Sequence, residues 1–340
     1  MYSETDLEDA VAAGALSAEA AAAFRTFVAQ GRAASAVDEE HFRLVTGFND
    51  IFVTIASILL LIAVGWIGSL SHPAFGGAAV AAAGWGLAEY FTRQRRMALP
   101  SILLLLAFVG ATFGAMAAML GTEPLALALS AALAAGAAWL HWQRFRVPIT
   151  VAAGAAAMVG LVLALLLSAV PGAEDWLIAL MFFAGLGVFT WAMRWDISDP
   201  ERRTRRSDVA FWLHLLAAPL IVHPIFALLG LLSGGADIGK AALVIVLYMG
   251  MGAVALAIDR RALLVSALAY VLYAISALFE RFGAVNLNFA LTALVIGSAL
   301  LLLSAFWHSA RAYVLGSLPE QLRQRLPGAG RPVATPRPAS

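Results

Sequence analysis

Residues 92–148, TRQRRMALPSILLLLAFVGATFGAMAAMLGTEPLALALSAALAAGAAWLHWQRFRVP, hold the pattern that decides the fold. An arginine-rich turn is followed by an unbroken apolar run, a turn with no basic residue, a second apolar run and another arginine-rich turn. Each run is close to the ~20 residues an α-helix needs to cross a hydrocarbon core of about 30 Å. Cytoplasmic loops keep Lys and Arg and translocated loops lose them. The stretch therefore predicts a helical hairpin that leaves the cytoplasm after Arg96 and returns at Arg144.

Outward from this hairpin the same alternation covers the chain. Apolar stretches occupy residues 51–70, 74–91, 99–120, 125–142, 148–170, 176–193, 209–232, 241–258, 262–279 and 288–306. Of the 22 Lys and Arg residues, only Lys240 and Arg281 fall outside the N-terminal segment, the alternate connections and the C-terminal tail. The expectation is an all-α, polytopic transmembrane bundle of ten spans, N-in and C-in. Composition agrees: 62% of residues are hydrophobic and 13% charged, against about half and a quarter in soluble domains. Only helices or closed barrels cross lipid, because each backbone polar group needs an internal partner. The continuous apolar runs lack the alternation of a barrel.

The first apolar run begins at Ile51, behind a polar, acidic segment, so no cleavable signal is expected. The chain has no cysteine, which excludes disulfides, thiolate metal sites and cysteine nucleophiles. Its basic residues are nearly all Arg, consistent with a bacterial source and hence the inner membrane.

Residues 1–45 are expected to form an acidic cytoplasmic helical hairpin and linker, 46–310 the transmembrane domain, and 311–340 a cytoplasmic tail. The tail turns rich in Pro, Gly and Ala after Leu326 and is expected to be disordered there. In the hairpin, Gly14 is a helix stop and Ser17 caps a second helix that Gly31 closes. Leu7, Val11, Leu16, Phe24, Phe27 and Val28 fit one shared apolar face. This hairpin reads as a partner-binding module or as a packing cap on the bundle. Nine carboxylates against three arginines in residues 1–50 argue against nucleic acid, whose phosphates they would repel.

AAGALSAEAAAAF (12–24), a short linker and TGFNDIFVTIASILLLIAVGWIGS (46–69) together resemble the start of domain-of-unknown-function family 2157. Those are bacterial multi-pass membrane proteins with a helical hairpin ahead of many spans. The resemblance covers about the first 70 residues and implies no particular activity.

Ionisable groups inside spans are costly, about 2.5–3.5 kcal/mol or more at the centre, so they mark candidate sites. Asp50 lies in the first turn of the first span, with Asn49 as its cap. Glu89 precedes Arg93 by four residues, the spacing of a helical ion pair. The seventh span, FWLHLLAAPLIVHPIFALLGLL (211–232), differs from the rest by holding His214, Pro219, His223 and Pro224. Pro219 and Pro224 have no N–H to give the carbonyls of Leu215 and Leu220. The two histidines are expected to face the bundle interior, where imidazole suits a proton relay.

Loop 194–208, RWDISDPERRTRRSD, divides the chain five spans from five, and Asp199-Pro200-Glu201 suggests a short surface helix. WGLAEYFTRQRRMALP (85–100) and WLHWQRFRVP (139–148) hint at a repeated hairpin, although an aromatic belt beside arginines explains them as well. Gly110 and Gly114 form a small-residue motif for helix contact. No phosphate-binding loop, serine-nucleophile elbow or histidine–carboxylate metal spacing is present, so neither cofactor nor metal nor enzymatic activity is expected. Two readings remain: a non-enzymatic membrane protein with an interaction module, or a proton-linked transporter of a small solute using the seventh span.

Overall fold

A computed structural model describes residues 7, 10–24, 26, 48–199, 202, 204–230, 238–261, 264, 268, 271–272, 288–323 and 326. The chain forms two units, Met1–Arg43 and Leu44–Ser340.

In the first unit the helix stop and cap fall where local chemistry puts them. Gly14 adopts φ +70°, the left-handed conformation glycine enters without steric cost, and its N–H bonds the Val11 carbonyl at 3.0 Å. Ser17 Oγ accepts the Ala20 N–H at 3.1 Å, satisfying an orphan donor of the second helix. The expected apolar face is looser than its sequence suggests. Leu7, Val11 and Leu16 are half-buried and Phe24 is 40% exposed. Phe27, Val28 and Gly31 lie outside the described residues.

The second unit is all-helical among the described residues. Its helices are α1 (Phe48–Ser69), α2 (Pro73–Ala88), α3 (Ala98–Leu120), α4 (Pro124–Phe145), α5 (Ile149–Ala169), α6 (Leu177–Ile197), α7 (Arg205–Leu228), α8 (Ile238–Ile258), α9 (Asn288–Ala305), α10 (Trp307–Ser317) and α11 (Glu320–Arg323). A π-helical turn, Glu89–Gln94, continues α2, and a 3₁₀ turn, Ala173–Trp176, leads into α6. Six segments are long and apolar enough to cross a membrane, and a seventh if Ala293–Ala305 and Trp307–Ser317, bent by 75°, count together. The protein is thus a multi-pass integral membrane protein. Of the other expected spans, α2 ends as an α-helix at 16 residues and continues as the π-helical turn, and α8 runs for 21 residues, Ile238–Ile258. Most of the expected ninth span, 262–279, and the tail beyond Leu326 lie outside the described residues.

Helix starts follow the acids. Glu174 and Asp175 sit in the 3₁₀ turn before α6 and Asp208 in the first turn of α7, where the dipole favours them. Asn49 is already inside α1, which begins one residue earlier, so it is not the cap. The helix after Asp199 starts only at Arg205: Thr204 caps it, and Asp199 Oδ2 accepts from the Thr204 N–H and hydroxyl at 2.9 and 2.7 Å. Pro200, Glu201 and Arg203 lie outside the described residues.

α2 packs between α1 and α3 because its sequence, PAFGGAAVAAAGWGLA, offers little but backbone at the contacts. A Cβ on Gly76 would stand 2.5 Å from the Gly65 carbonyl oxygen, and one on Gly77 2.8 Å from Ala115 Cβ. Gly110 and Gly114, by contrast, are exposed, and a Cβ added at either would meet nothing within 4 Å among the described residues.

The four described non-glycine residues with positive φ are Arg96, Arg146, Arg202 and Asp259, following α2, α4, α6 and α8. The left-handed conformation costs such a residue roughly 1–2 kcal/mol. Its recurrence at four alternate turns gives the arginine-bearing connections one shared backbone geometry. The opposite turns after α3, α5 and α7 use Gly121, Gly172 and Gly230 for positive φ.

α7 is the centre of the second half. Half of its membrane-length window is buried, against 17–39% for the other five single-helix spans. It packs along α6 and against α5 through Val209, Leu213 and Ala217. Val222 and Phe226 join Val244 of α8 and Ile296 of α9 in a separate core cluster.

Candidate functional site

Asp196 stands in the last turn of α6, where the helix dipole disfavours a carboxylate. It is 1% exposed, so its charge needs partners from neighbouring elements. Arg260, also 1% exposed, provides a two-armed one: its Nε donates to Asp196 Oδ2 at 3.1 Å and its Nη2 to Oδ1. The same Nη2 reaches the Ser207 hydroxyl at 3.1 Å and the Ser207 carbonyl at 3.3 Å. His214 of α7, fully buried, places Nε2 2.9 Å from Asp196 Oδ2. One carboxylate thereby joins the end of α6, the body of α7 and the residue that follows the α8 turn.

An imidazole nitrogen facing a carboxylate carries the proton, so uncharged His214 donates through Nε2 and leaves Nδ1 as an acceptor. That Nδ1 has no hydrogen-bond partner among the described residues. Phe189 of α6 packs edge-on to the ring at 5.3 Å. A second proton on Nδ1 would add positive charge beside Arg260 and would strengthen the bond to Asp196.

A second cluster lies on the same two turns. Asp259, in the left-handed position after α8, accepts from Arg202 Nη1 at 3.0 Å and from Trp307 Nε1 at 2.8 Å, with Arg311 Nε 3.7 Å away. Arg202 Nη2 also donates to the Asp259 carbonyl at 2.9 Å. Burial pushes the Asp259 carboxyl up, but Arg202, the Trp307 N–H and Arg311 outweigh it and hold it below the usual carboxylate range. The α6–α7 and α8 turns thus exchange charges twice, Asp196 with Arg260 and Asp259 with Arg202.

The expected site residues fall in different places. His214 is at the centre of the network. His223 is exposed, which corrects the expectation that both histidines face inward. α7 continues as one helix through both prolines, so residues nine apart stay on opposite faces. Pro219 is exposed and Pro224 buried. Glu89 belongs to a separate, half-exposed pair: Arg93 Nη1 is 3.2 Å from Oε2, and Arg144 of α4 donates at 2.7 and 3.0 Å. Asp50 is buried at the start of α1. Asp196, Arg260 and Ser207 escape a sequence reading because all three fall in polar connections. Their signal was an acid at a helix C-terminus among arginines, a placement that is unfavourable without a partner. Comparison of the chain with protein-family models, with curated proteins and with solved structures finds no match.

Proposed function

We propose that this chain is a non-enzymatic, ten-span bacterial inner-membrane protein with both termini in the cytoplasm, and that it couples proton movement to the passage of a small solute through its second half. One observation carries the coupling. A fully buried histidine on the most buried of the six single-helix candidate spans bridges to a carboxylate by one ring nitrogen, while its other nitrogen has no hydrogen-bond partner among the described residues. In a bundle under lipid, an ionisable group in that position is a functional-site candidate by default, and imidazole is the side chain best suited to carry protons near neutral pH. The arginine alternation supports the topology, and the N-terminal resemblance, which carries no activity, is compatible with it.

Purified protein in liposomes with an internal pH dye tests the coupling. Under an imposed pH gradient, adding a transported solute should speed gradient collapse in wild type and not in His214→Gln. A gradient as tight as in empty liposomes across a panel of small amines, acids and neutral apolar solutes would refute proton-linked transport.

A further inference from the structure

We infer that α10 lies along the surface of the bilayer as an interfacial helix, with Phe306 and Tyr313 in the headgroup layer, and takes no part in crossing it. The level of its first turn is set by hydrogen bonds. Arg202 stands in the turn between the membrane-length helices α6 and α7, so the groups it holds mark one boundary of the membrane. It holds Asp259, the residue after α8, through the carboxylate at 3.0 Å and the carbonyl at 2.9 Å. Asp259 in turn accepts from Nε1 of Trp307, the first residue of α10, at 2.8 Å. Arg311, one turn further on, donates through Nε at 3.2 Å to the Leu256 carbonyl in the last turn of α8, where the dipole favours a cation. Arg261 places its guanidinium 4.9 Å from the centre of the Trp307 ring. The start of α10 is thereby pinned at the boundary, with one side on α8.

Its direction follows from the bend. α9 has 18 residues, within the roughly 17–25 that cross a hydrocarbon core, so it needs nothing from α10 to reach the other side. A helix that continued or retraced that crossing would keep its axis near the membrane normal. α10 leaves α9 at 75°, which carries it close to the membrane plane. The corner is a hydrogen-bonded bend: the Phe306 N–H meets the Leu302 carbonyl and the Ala310 N–H the Phe306 carbonyl, both at 2.9 Å. Around α10, Trp307 and Arg311 turn to α8, while His308, Ala312 and Gly316, spaced by four, form an exposed side with no large apolar group. Phe306 at the corner and Tyr313 are 60% and 83% exposed. They extend the exposed apolar surface of α9, where Leu301 and Leu302 are 73% and 59% exposed at membrane depth. An apolar ring with a polar tip suits the headgroup level, which is where tyrosine concentrates in membrane proteins. A helix with one such side and one polar side is built to lie in the interface, and the bilayer is the occupant of this surface.

Spin-label depth measurements on the full chain in nanodiscs read this directly. The chain has no cysteine, so single nitroxides can be attached at Leu301→Cys, Phe306→Cys, Ala312→Cys and Tyr313→Cys. All four positions are exposed, so the labels leave the packing in place. Depth is read from collisions with oxygen, which concentrates in lipid, and with a water-soluble nickel chelate. The label at position 301 should report hydrocarbon and the one at 312 water. Those at 306 and 313 should report headgroup depth and agree within a few ångströms, although about 10 Å of helix separates them. A label at 313 as deep as the one at 301 would make α10 part of a crossing. One at 313 as open to the nickel chelate as the one at 312 would place α10 in water. Either result overturns the inference.

Discussion

Two carboxylates at the ends of even-numbered helices are each bridged by an arginine from the next even-numbered turn, in very different surroundings. Glu89, at the end of α2, meets Arg144 of α4 with side chains 30% and 41% exposed. Asp196, at the end of α6, meets Arg260 after α8 with both at 1%. The topological device is the same, yet water screens the first pair and is excluded from the second. The first can be broken with little consequence. The second, once one partner is removed, leaves a bare charge in a dry interior. Only the second carries a histidine. The difference shows that the end of α6, α7 and the α8 turn are tied by a buried charge network in addition to a close backbone contact at Gly185. By contrast, α2 is held by backbone contact at Gly76 and Gly77, with only a half-exposed ion pair at its end.

The largest effect expected from this contrast is on Asp196. Replacing it by Ala strands Arg260 and should cost about 3–5 kcal/mol, read as a lowered unfolding midpoint in detergent. A midpoint within experimental error of wild type would mean water reaches Arg260. Next is Gly185 of α6, where a Cβ would stand 2.8 Å from the Leu220 carbonyl carbon. Gly185→Ala should cost about 1–3 kcal/mol because backbone, not a pliable side chain, is in the way. Gly114→Ala, in open space, serves as its control and should leave the midpoint unchanged.

Asp259 sharpens the comparison through pH. Its folded carboxyl titrates below the unfolded value of about 3.9. Its stabilisation is therefore complete above that value and lost as pH falls through the folded one. Wild type should lose an increment of stability on acidification that Asp259→Asn does not show, and parallel curves would contradict the arginine contacts. Glu89→Gln is the smallest change and should shrink further in high salt.

The helical, membrane-spanning character of the protein was legible because continuous apolar runs and arginine alternation are one-dimensional signals. The seventh span stood apart in the sequence by its two prolines and two histidines, and its window is the most buried of the six single-helix candidate spans. The expectation that both histidines face inward failed: residues nine apart on one continuous helix face opposite ways, and His223 is exposed while His214 is buried. The partners of His214 were not legible. Asp196 and Arg260 are 64 residues apart in the chain and meet only because α6 continues to Ile197, past the apolar run, carrying the acid inside. The π-helical continuation of α2 and the left-handed arginines at the turns carried no sequence signal either.

The most direct test of the contrast is a pair of double-mutant cycles on unfolding in one micelle, Asp196→Ala with Arg260→Met beside Glu89→Ala with Arg144→Met. The buried pair should show a coupling energy of about 2–3 kcal/mol, with the double variant more stable than the two single losses added together. The half-exposed pair, screened by water, should show a much smaller coupling. Equal couplings for the two pairs would contradict the account.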